Sequence, residues 1–339
     1  MRTVDWVDGR VRLIDQRALP WNFATVDYDD YRLLAQAVTE MVVRGAPAIG
    51  AAGAYGMALA ARQAVGETAR AMLPFIQQAA QTLIDARPTA VNLRWGVQAV
   101  LNTALTNADA PVAEFQQRLL NHAQQIADDD VRINQTMGAH GQTLIQDGIT
   151  VLHHCNTGAL AAVDWGTALG VVRSAHEAGK TFHVLLDETR PRLQGARLSA
   201  WELEQWGVSY DILPDTAAGH YMARGEINIV LVGADRVAAN GDFANKIGTY
   251  QIAIMANYHG IPFYCVAPTS TYDAHAASGQ DIPIEQRDPA EVTTPYGLEL
   301  VPAHFKARNP AFDVTPHTLV TGYVTELGIL TPPFTFLNS

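Results

Sequence analysis

The chain has 339 residues, 48% of them apolar and 17% charged, a composition that excludes a disordered protein and leaves room for two domains. A formal charge of −11 argues against nucleic acid as the main partner, without excluding a local basic pocket for an anionic metabolite. Two cysteines, Cys155 and Cys265, make neither a disulfide framework nor a zinc array.

Taken in order, the opening MRTVDWVDGRVR has no apolar signal core, which points by default to the cytoplasm. Residues 1–25 suggest a short strand or hairpin with Val11, Leu13 and Ile14 as its apolar positions. Helical periods follow to about residue 147: Tyr31–Val43, a helix after Arg44-Gly45-Ala46-Pro47, then Thr68–Ala86, Leu93–Leu105 and Val112–Ile145. No charge falls between Arg44 and Arg62, a span near the lower limit for crossing a membrane. That stretch is mostly Ala and Gly and has Pro47 in its first turn, so it reads as a buried helix with no membrane partner.

The pattern changes near residue 148. Strand-like runs at Ile149–Leu152, Thr181–Asp187, Ser209–Leu213, Ile227–Val232 and Pro262–Ala267 alternate with helical segments at Thr167–Glu177, Ala196–Trp206, Thr216–Ala223 and Ile247–His259. Short connections in such an alternation predict a parallel sheet covered on both faces. Residues 269–317, rich in Pro, Asp and Thr, read as loops, and short apolar runs return at Leu319–Leu330. The expected fold is α/β: a mainly helical N-terminal domain over 1–145 and a Rossmann-like domain with a mostly parallel sheet over 146–339. The cleft between them is the natural ligand site.

Several residues stand where ligands are usually met. Asp235 follows the apolar strand and Gly233-Ala234, and Ala239-Asn240-Gly241-Asp242 then reads as a turn before Asn245, Lys246 and a helix starting near Ile247. An apolar setting would keep the Asp235 carboxyl protonated as a general acid; pairing with Arg236 or capping the turn is the plainer alternative. Cys155 leaves a buried strand and opens a turn, Asn156-Thr157-Gly158, where a thiol can reach a ligand or simply fill space. Cys265, inside a strand, gets only the second reading. Arg44, Gly45 and Ala46 combine a cation with a helix start, a phosphate-binding pattern that is equally ordinary as an exposed arginine. Arg87 is a second cation before a helix. Gln194 lies in a loop after a strand, and Asn245 and Lys246 either hold substrate or cap a helix. His153 and His154 invite a metal, but no other His, Cys or carboxylate stands at ligand spacing in the sequence. Neither a Walker loop nor Gly-x-Gly-x-x-Gly is present.

Five blocks together resemble one family: RGAPAIG at 44–50, RPTAVNL at 87–93, CNTG at 155–158, DETRPRLQGARL at 187–198 and GADRVAANGDFANKIGTYQIA at 233–253. Their order and content are similar to the methylthioribose-1-phosphate isomerases of methionine salvage, relatives of the regulatory subunits of translation factor eIF2B. The resemblance implies an aldose–ketose isomerisation of 5-methylthioribose 1-phosphate to 5-methylthioribulose 1-phosphate. It implies Asp235 as proton donor and Cys155 as its partner at the reacting carbons. It puts phosphate and sugar contacts on Arg44, Gly45, Ala46, Arg87, Gln194, Asn245 and Lys246. It also implies no metal or organic cofactor, and a homodimer.

The residue types suit that chemistry. With phosphate on the anomeric oxygen the sugar ring does not open by itself, so an acid must protonate the ring oxygen. Hydrogen then moves from C2 to C1, either as a proton through an enolate with a Cys155 thiolate as base, or as hydride with Cys155 organising charge nearby. Two alternatives remain at this point. A ribose 1,5-bisphosphate isomerase would need extra cations where a thioether asks for an apolar slot, for which Trp21, Phe23 and Trp95 are available. A non-catalytic eIF2B-like subunit would have no use for both Cys155 and Asp235.

Overall fold

In the computed structural model, which describes residues 1–302 and 304–334, the uncharged stretch after Arg44 forms a helix buried along nearly its whole length. It belongs to the first of two compact units, Met1–Arg132 with Ala159–Gly166; the second comprises Ile133–Gly158 and the chain from Thr167 onward. In the first unit, β1 (Val4–Val7), β2 (Arg10–Ile14) and β3 (Thr25–Tyr28) form an antiparallel sheet, one strand more than a hairpin. Asp8 and Gly9, both at positive φ, make the tight β1–β2 turn.

Five helices follow: α1 (Tyr31–Thr39), α2 (Ala46–Gln63), α3 (Ala69–Asp85), α4 (Val91–Thr106) and α5 (Val112–Gly141), the last running on into the second unit. α1 stops four residues short of the predicted end. Met41 takes a left-handed conformation, which turns the chain and buries Val42 and Val43. α2 tolerates close neighbours because its side chains are small. A Cβ on Gly96 of α4 would sit 2.1 Å from the Gly50 carbonyl oxygen of α2, so these two backbones touch. Among the described residues no helix is long and apolar enough to cross a membrane.

The second unit is a doubly wound α/β structure. Its elements run β4 (Thr150–His153), α6 (Ala168–Glu177), β5 (His183–Asp187), α7 (Ala200–Trp206), β6 (Ser209–Leu213), α8 (Ala218–Ala223), β7 (Ile229–Val232), β8 (Arg236–Ala238), β9 (Phe243–Lys246), α9 (Thr249–Tyr258), β10 (Phe263–Val266), β11 (Tyr272–Asp273), α10 (Ala290–Thr293), β12 (Phe312–Thr315), β13 (Gly322–Thr325) and β14 (Gly328–Leu330). The main sheet has the order β14-β13-β10-β7-β4-β5-β6, parallel except for β14 at one edge. Its central strands are apolar on both faces, and each face carries its own buried cluster.

A smaller sheet, β11-β8-β9-β12, corrects the local sequence reading. Asn245 and Lys246 do not cap a helix at Ile247 but end strand β9, which pairs with β8 and, from far along the chain, with β12. α9 begins only at Thr249, after Gly248 at φ 107°. The β12 partner lies within the segment read as loops, so nothing near Asn245 advertises the pairing.

Candidate active site

From β4 the chain winds through β5 and β6 to one edge of the main sheet; β7 then returns to the other side of β4. The switch point therefore lies between β4 and β7, and in open α/β sheets the crevice at the carboxyl ends of such a pair is where ligands bind. Cys155 follows the end of β4 by two residues and Asp235 follows the end of β7 by three. The strands are in parallel register there, with His153 opposite Leu231. Neighbouring strands lie about 4.8 Å apart, so the two segments leave the sheet side by side.

Cys155 is held in a costly conformation. Its φ is 70°, in the left-handed region, where a side chain with a Cβ loses about 1–2 kcal/mol. Two hydroxyls fix it from either side. The Cys155 N–H donates to Thr189 Oγ1 (2.9 Å), and Ser199 Oγ donates to the Cys155 carbonyl (2.8 Å). Thr189 is anchored in turn by donating to the Asp187 carbonyl (3.0 Å). The next residue, Asn156, donates to Ser199 Oγ (3.1 Å) and to the buried Glu202 carboxylate (2.7 Å). A Cβ on Gly158 would fall 2.3 Å from the Glu202 carboxylate, so the turn packs directly on that side chain. The thiol-bearing residue itself is 7% exposed.

Asp235 is half-buried, and its N–H donates to the Ala244 carbonyl across the β8–β9 hairpin (2.9 Å). Arg236, its neighbour, reaches Asp273 at 3.4 Å. The same hairpin carries Asn245, buried and donating to Thr249 Oγ1 (3.0 Å). The Lys246 ammonium donates to the Ala311 carbonyl (2.7 Å) and lies over the Phe312 ring. Gln194 stands in the β5–α7 loop, buried, with its side-chain oxygen lacking a hydrogen-bond partner among the described residues. A buried acceptor left open is costly unless a ligand or water completes it. Cys155, Asp235, Gln194, Asn245 and Lys246 thus all belong to the second unit.

Arg44, Gly45, Ala46 and Arg87 belong to the first. Gly45, at φ 101°, precedes α2, whose first turn has no side-chain cap. A Cβ on Gly45 would lie 2.3 Å from the Ala161 carbonyl oxygen, so only glycine fits. Arg44 and Arg87 are each half-buried just before α2 and α4.

The histidine pair divides by face. His153 donates Nδ1–H to the Leu231 carbonyl (2.8 Å), and burial pushes its pKa down to about 4, so it is neutral. His154 meets carboxylates that spacing along the chain did not reveal: Asp187 and Asp215 come together with it. The set does not suit a metal. Both ring nitrogens of His154 are engaged, one by Asp187 and one by the Ile247 carbonyl (2.9 Å each), and the Asp215 carboxylate accepts from the Thr189 and Arg190 N–H groups (2.7 Å each). Thr189, Ser199 and Asp187 were not singled out in the sequence. Two of them lie inside the DETRPRLQGARL block and Ser199 follows it directly, which is the only signal that could have drawn attention to them.

A carboxylate and a strained, clamped thiol at the switch point of a doubly wound sheet place this chain among the α/β proteins whose sheet ends in a ligand crevice. The model of the initiation factor 2 subunit family matches residues 42–332. A methylthioribose-1-phosphate isomerase from Synechococcus sp. is 50% identical, over 97% of this chain and 94% of that one. The crystal structure of 5-methylthioribose 1-phosphate isomerase from Pyrococcus horikoshii superposes with a TM-score of 0.93 at 44% identity, covering 98% of this chain and 93% of that one. A structure titled translation initiation factor eIF-2B, subunit delta, from A. fulgidus gives 0.89 at 43% identity, covering 98% and 96%. The chain belongs to the initiation factor 2 subunit family and, within it, to the methylthioribose-1-phosphate isomerases.

Proposed function

We infer that this chain is an aldose–ketose isomerase that converts 5-methylthioribose 1-phosphate to 5-methylthioribulose 1-phosphate. The observation that carries the reading is near-full-length identity of about one half to isomerases of that name. In the proposed mechanism Asp235 protonates the ring oxygen and opens the sugar, and Cys155 acts at C1 and C2 while hydrogen passes between them. Arg44 and Arg87 hold the phosphate with the backbone of Gly45 and Ala46, and Gln194, Asn245 and Lys246 take the sugar hydroxyls and phosphate oxygens. The position of Cys155 and Asp235 after neighbouring strands and the open acceptor on Gln194 support these roles. No step calls on a metal or an organic cofactor.

The methylthio end of the substrate asks for an apolar slot. Trp21, Phe23 and Trp95, exposed at 87%, 46% and 53%, offer aromatic surface for it. Turnover of methylthioribose 1-phosphate beside ribose 1,5-bisphosphate tests the choice. The reading predicts kcat/KM at least about a hundredfold higher for the thioether sugar, since an apolar slot leaves a second phosphate desolvated and unpaired. Preference for the bisphosphate, or binding of eIF2B-type subunits with no turnover of either sugar, would overturn it.

The enzyme acts as a homodimer in the cytoplasm. Beyond its buried Ile252, Ala253 and Ala256, α9 exposes Tyr250, Ile254 and Tyr258 at helical spacing, a face suited to a second copy. Cys155 and Cys265 are buried thiols, in keeping with a reducing compartment.

A further inference from the structure

Next to Cys155 lies a buried polar bridge that the reaction scheme does not use. His154 is 1% exposed and Asp187 is fully buried. One ring nitrogen of His154 faces the Asp187 carboxylate at 2.9 Å and the other faces the Ile247 carbonyl at 2.9 Å. The imidazole therefore spans three chain segments: the end of β4 just before Cys155, the end of β5, and the link between β9 and α9. That link follows Asn245 and Lys246 directly. Its next residue, Gly248, packs on the ring so closely that a Cβ there would sit 2.9 Å from His154 Cε1.

The proton count of this bridge is fixed by its acceptors. A carbonyl oxygen only accepts, so His154 Nε2 carries a proton. Nδ1 either donates to an ionised Asp187 or accepts from a protonated one. In both cases the pair shares one further proton, and losing it would set a nitrogen lone pair against a buried carboxylate. Burial disfavours a charged His154, but the bond and charge of Asp187 outweigh it and hold the imidazole above its ordinary pKa; burial likewise raises the Asp187 carboxyl. Asp215 and Asp313 are the other carboxylates whose charge reaches His154. Asp187 Oδ1 has no hydrogen-bond partner among the described residues, so one oxygen does all the bridging.

We propose that His154, held by Asp187, is a positioning residue: it braces the Ile247 carbonyl and so sets where the Asn245–Lys246 segment stands relative to the Cys155 turn. This role rests on the isomerase reading for its consequence in catalysis, but not for its mechanical content. The brace fixes substrate contacts rather than the reacting groups, so its loss raises KM more than it lowers kcat.

Four proteins test it: wild type, His154→Phe, Asp187→Ala and Asp187→Asn. Phenylalanine keeps a flat aromatic ring, slightly larger than the imidazole, and loses both bonds. Asparagine is isosteric with aspartate; its amide nitrogen can donate to Nδ1 of a neutral imidazole, which leaves Nε2–H on Ile247. The expected result is a KM raised at least about tenfold in His154→Phe and Asp187→Ala with kcat down no more than about threefold, and recovery of most of that loss in Asp187→Asn. Amide hydrogen exchange over 245–251 is read on the same proteins and needs no substrate. Exchange at least about tenfold faster in His154→Phe and Asp187→Ala, and near wild type in Asp187→Asn, supports the brace even should the wild type prove inactive on this sugar. Unchanged exchange in folded His154→Phe, or Asp187→Asn no better than Asp187→Ala, would overturn it.

Discussion

Cys155 is the residue at which sequence, strain and chemistry meet. Its left-handed φ is a conformation that suits glycine, yet a thiol occupies it and two hydroxyls clamp its peptide groups. Strain of this kind persists where surrounding structure over-determines it. Cys155→Gly should therefore be more stable than Cys155→Ala by about 1 kcal/mol in urea unfolding, with both inactive. A more stable alanine variant would mean that the backbone is not strained there. Removing a clamp should disturb aim rather than affinity: Ser199→Ala is expected to lower kcat about tenfold with KM within about threefold of wild type. A second residue-scale effect concerns acid. His153 is neutral when folded, with a pKa of about 4 against 6.5 when unfolded, so the unfolded state binds more protons between those values. Stability from this group is complete above pH 6.5 and is lost as pH falls towards 4. His153→Gln should accordingly lose about 2 kcal/mol less than wild type between pH 7 and pH 5. At this scale the sequence was informative wherever a residue ended an apolar run, as Cys155 and Asp235 do. Thr189, Ser199 and Asp187 meet Cys155 and His154 only because β5 and α7 fold beside β4, and no local spacing encodes that.

Elements were legible where their apolar period was strong. The long helices of the first unit and the parallel strands of the second fall within a few residues of their expected limits. α2 was legible for a different reason: Ala and Gly over eighteen residues make a poor surface helix but a good buried one that lets α4 approach. Gly96→Ala puts a methyl 2.1 Å from the Gly50 carbonyl, a contact with rigid backbone on both sides. It should cost about 2–3 kcal/mol in urea unfolding despite the higher helix propensity of alanine. A neutral or stabilising change would show that the helices can separate freely. The hairpin β8–β9 escaped detection because its strands are short and its outer partners, β11 and β12, come from a segment with loop composition. It matters for the proposed mechanism, since Asp235 precedes one strand and Asn245 and Lys246 end the other.

For the whole molecule, the proposed assembly has its own test. Ile254→Glu places a charge in the middle of the exposed apolar stripe of α9, opposite its buried Ile252, Ala253 and Ala256. Light scattering should report a dimer for wild type and a monomer for the variant. A dimer that survives Ile254→Glu would move the interface elsewhere. The doubly wound topology was predictable from alternating runs, but strand order was not, and it is strand order that makes β4 and β7 neighbours. That adjacency of a thiol and an acid, eighty positions apart in the sequence, is the claim on which the mechanism stands. Its most direct test is kcat on methylthioribose 1-phosphate for Cys155→Ser, Asp235→Asn and the double variant. Each single change should cost at least about a hundredfold, and the double variant should lose far less than the product of the two, as groups acting in one step do. Near-normal rates in folded single variants, or losses that simply multiply, would contradict it.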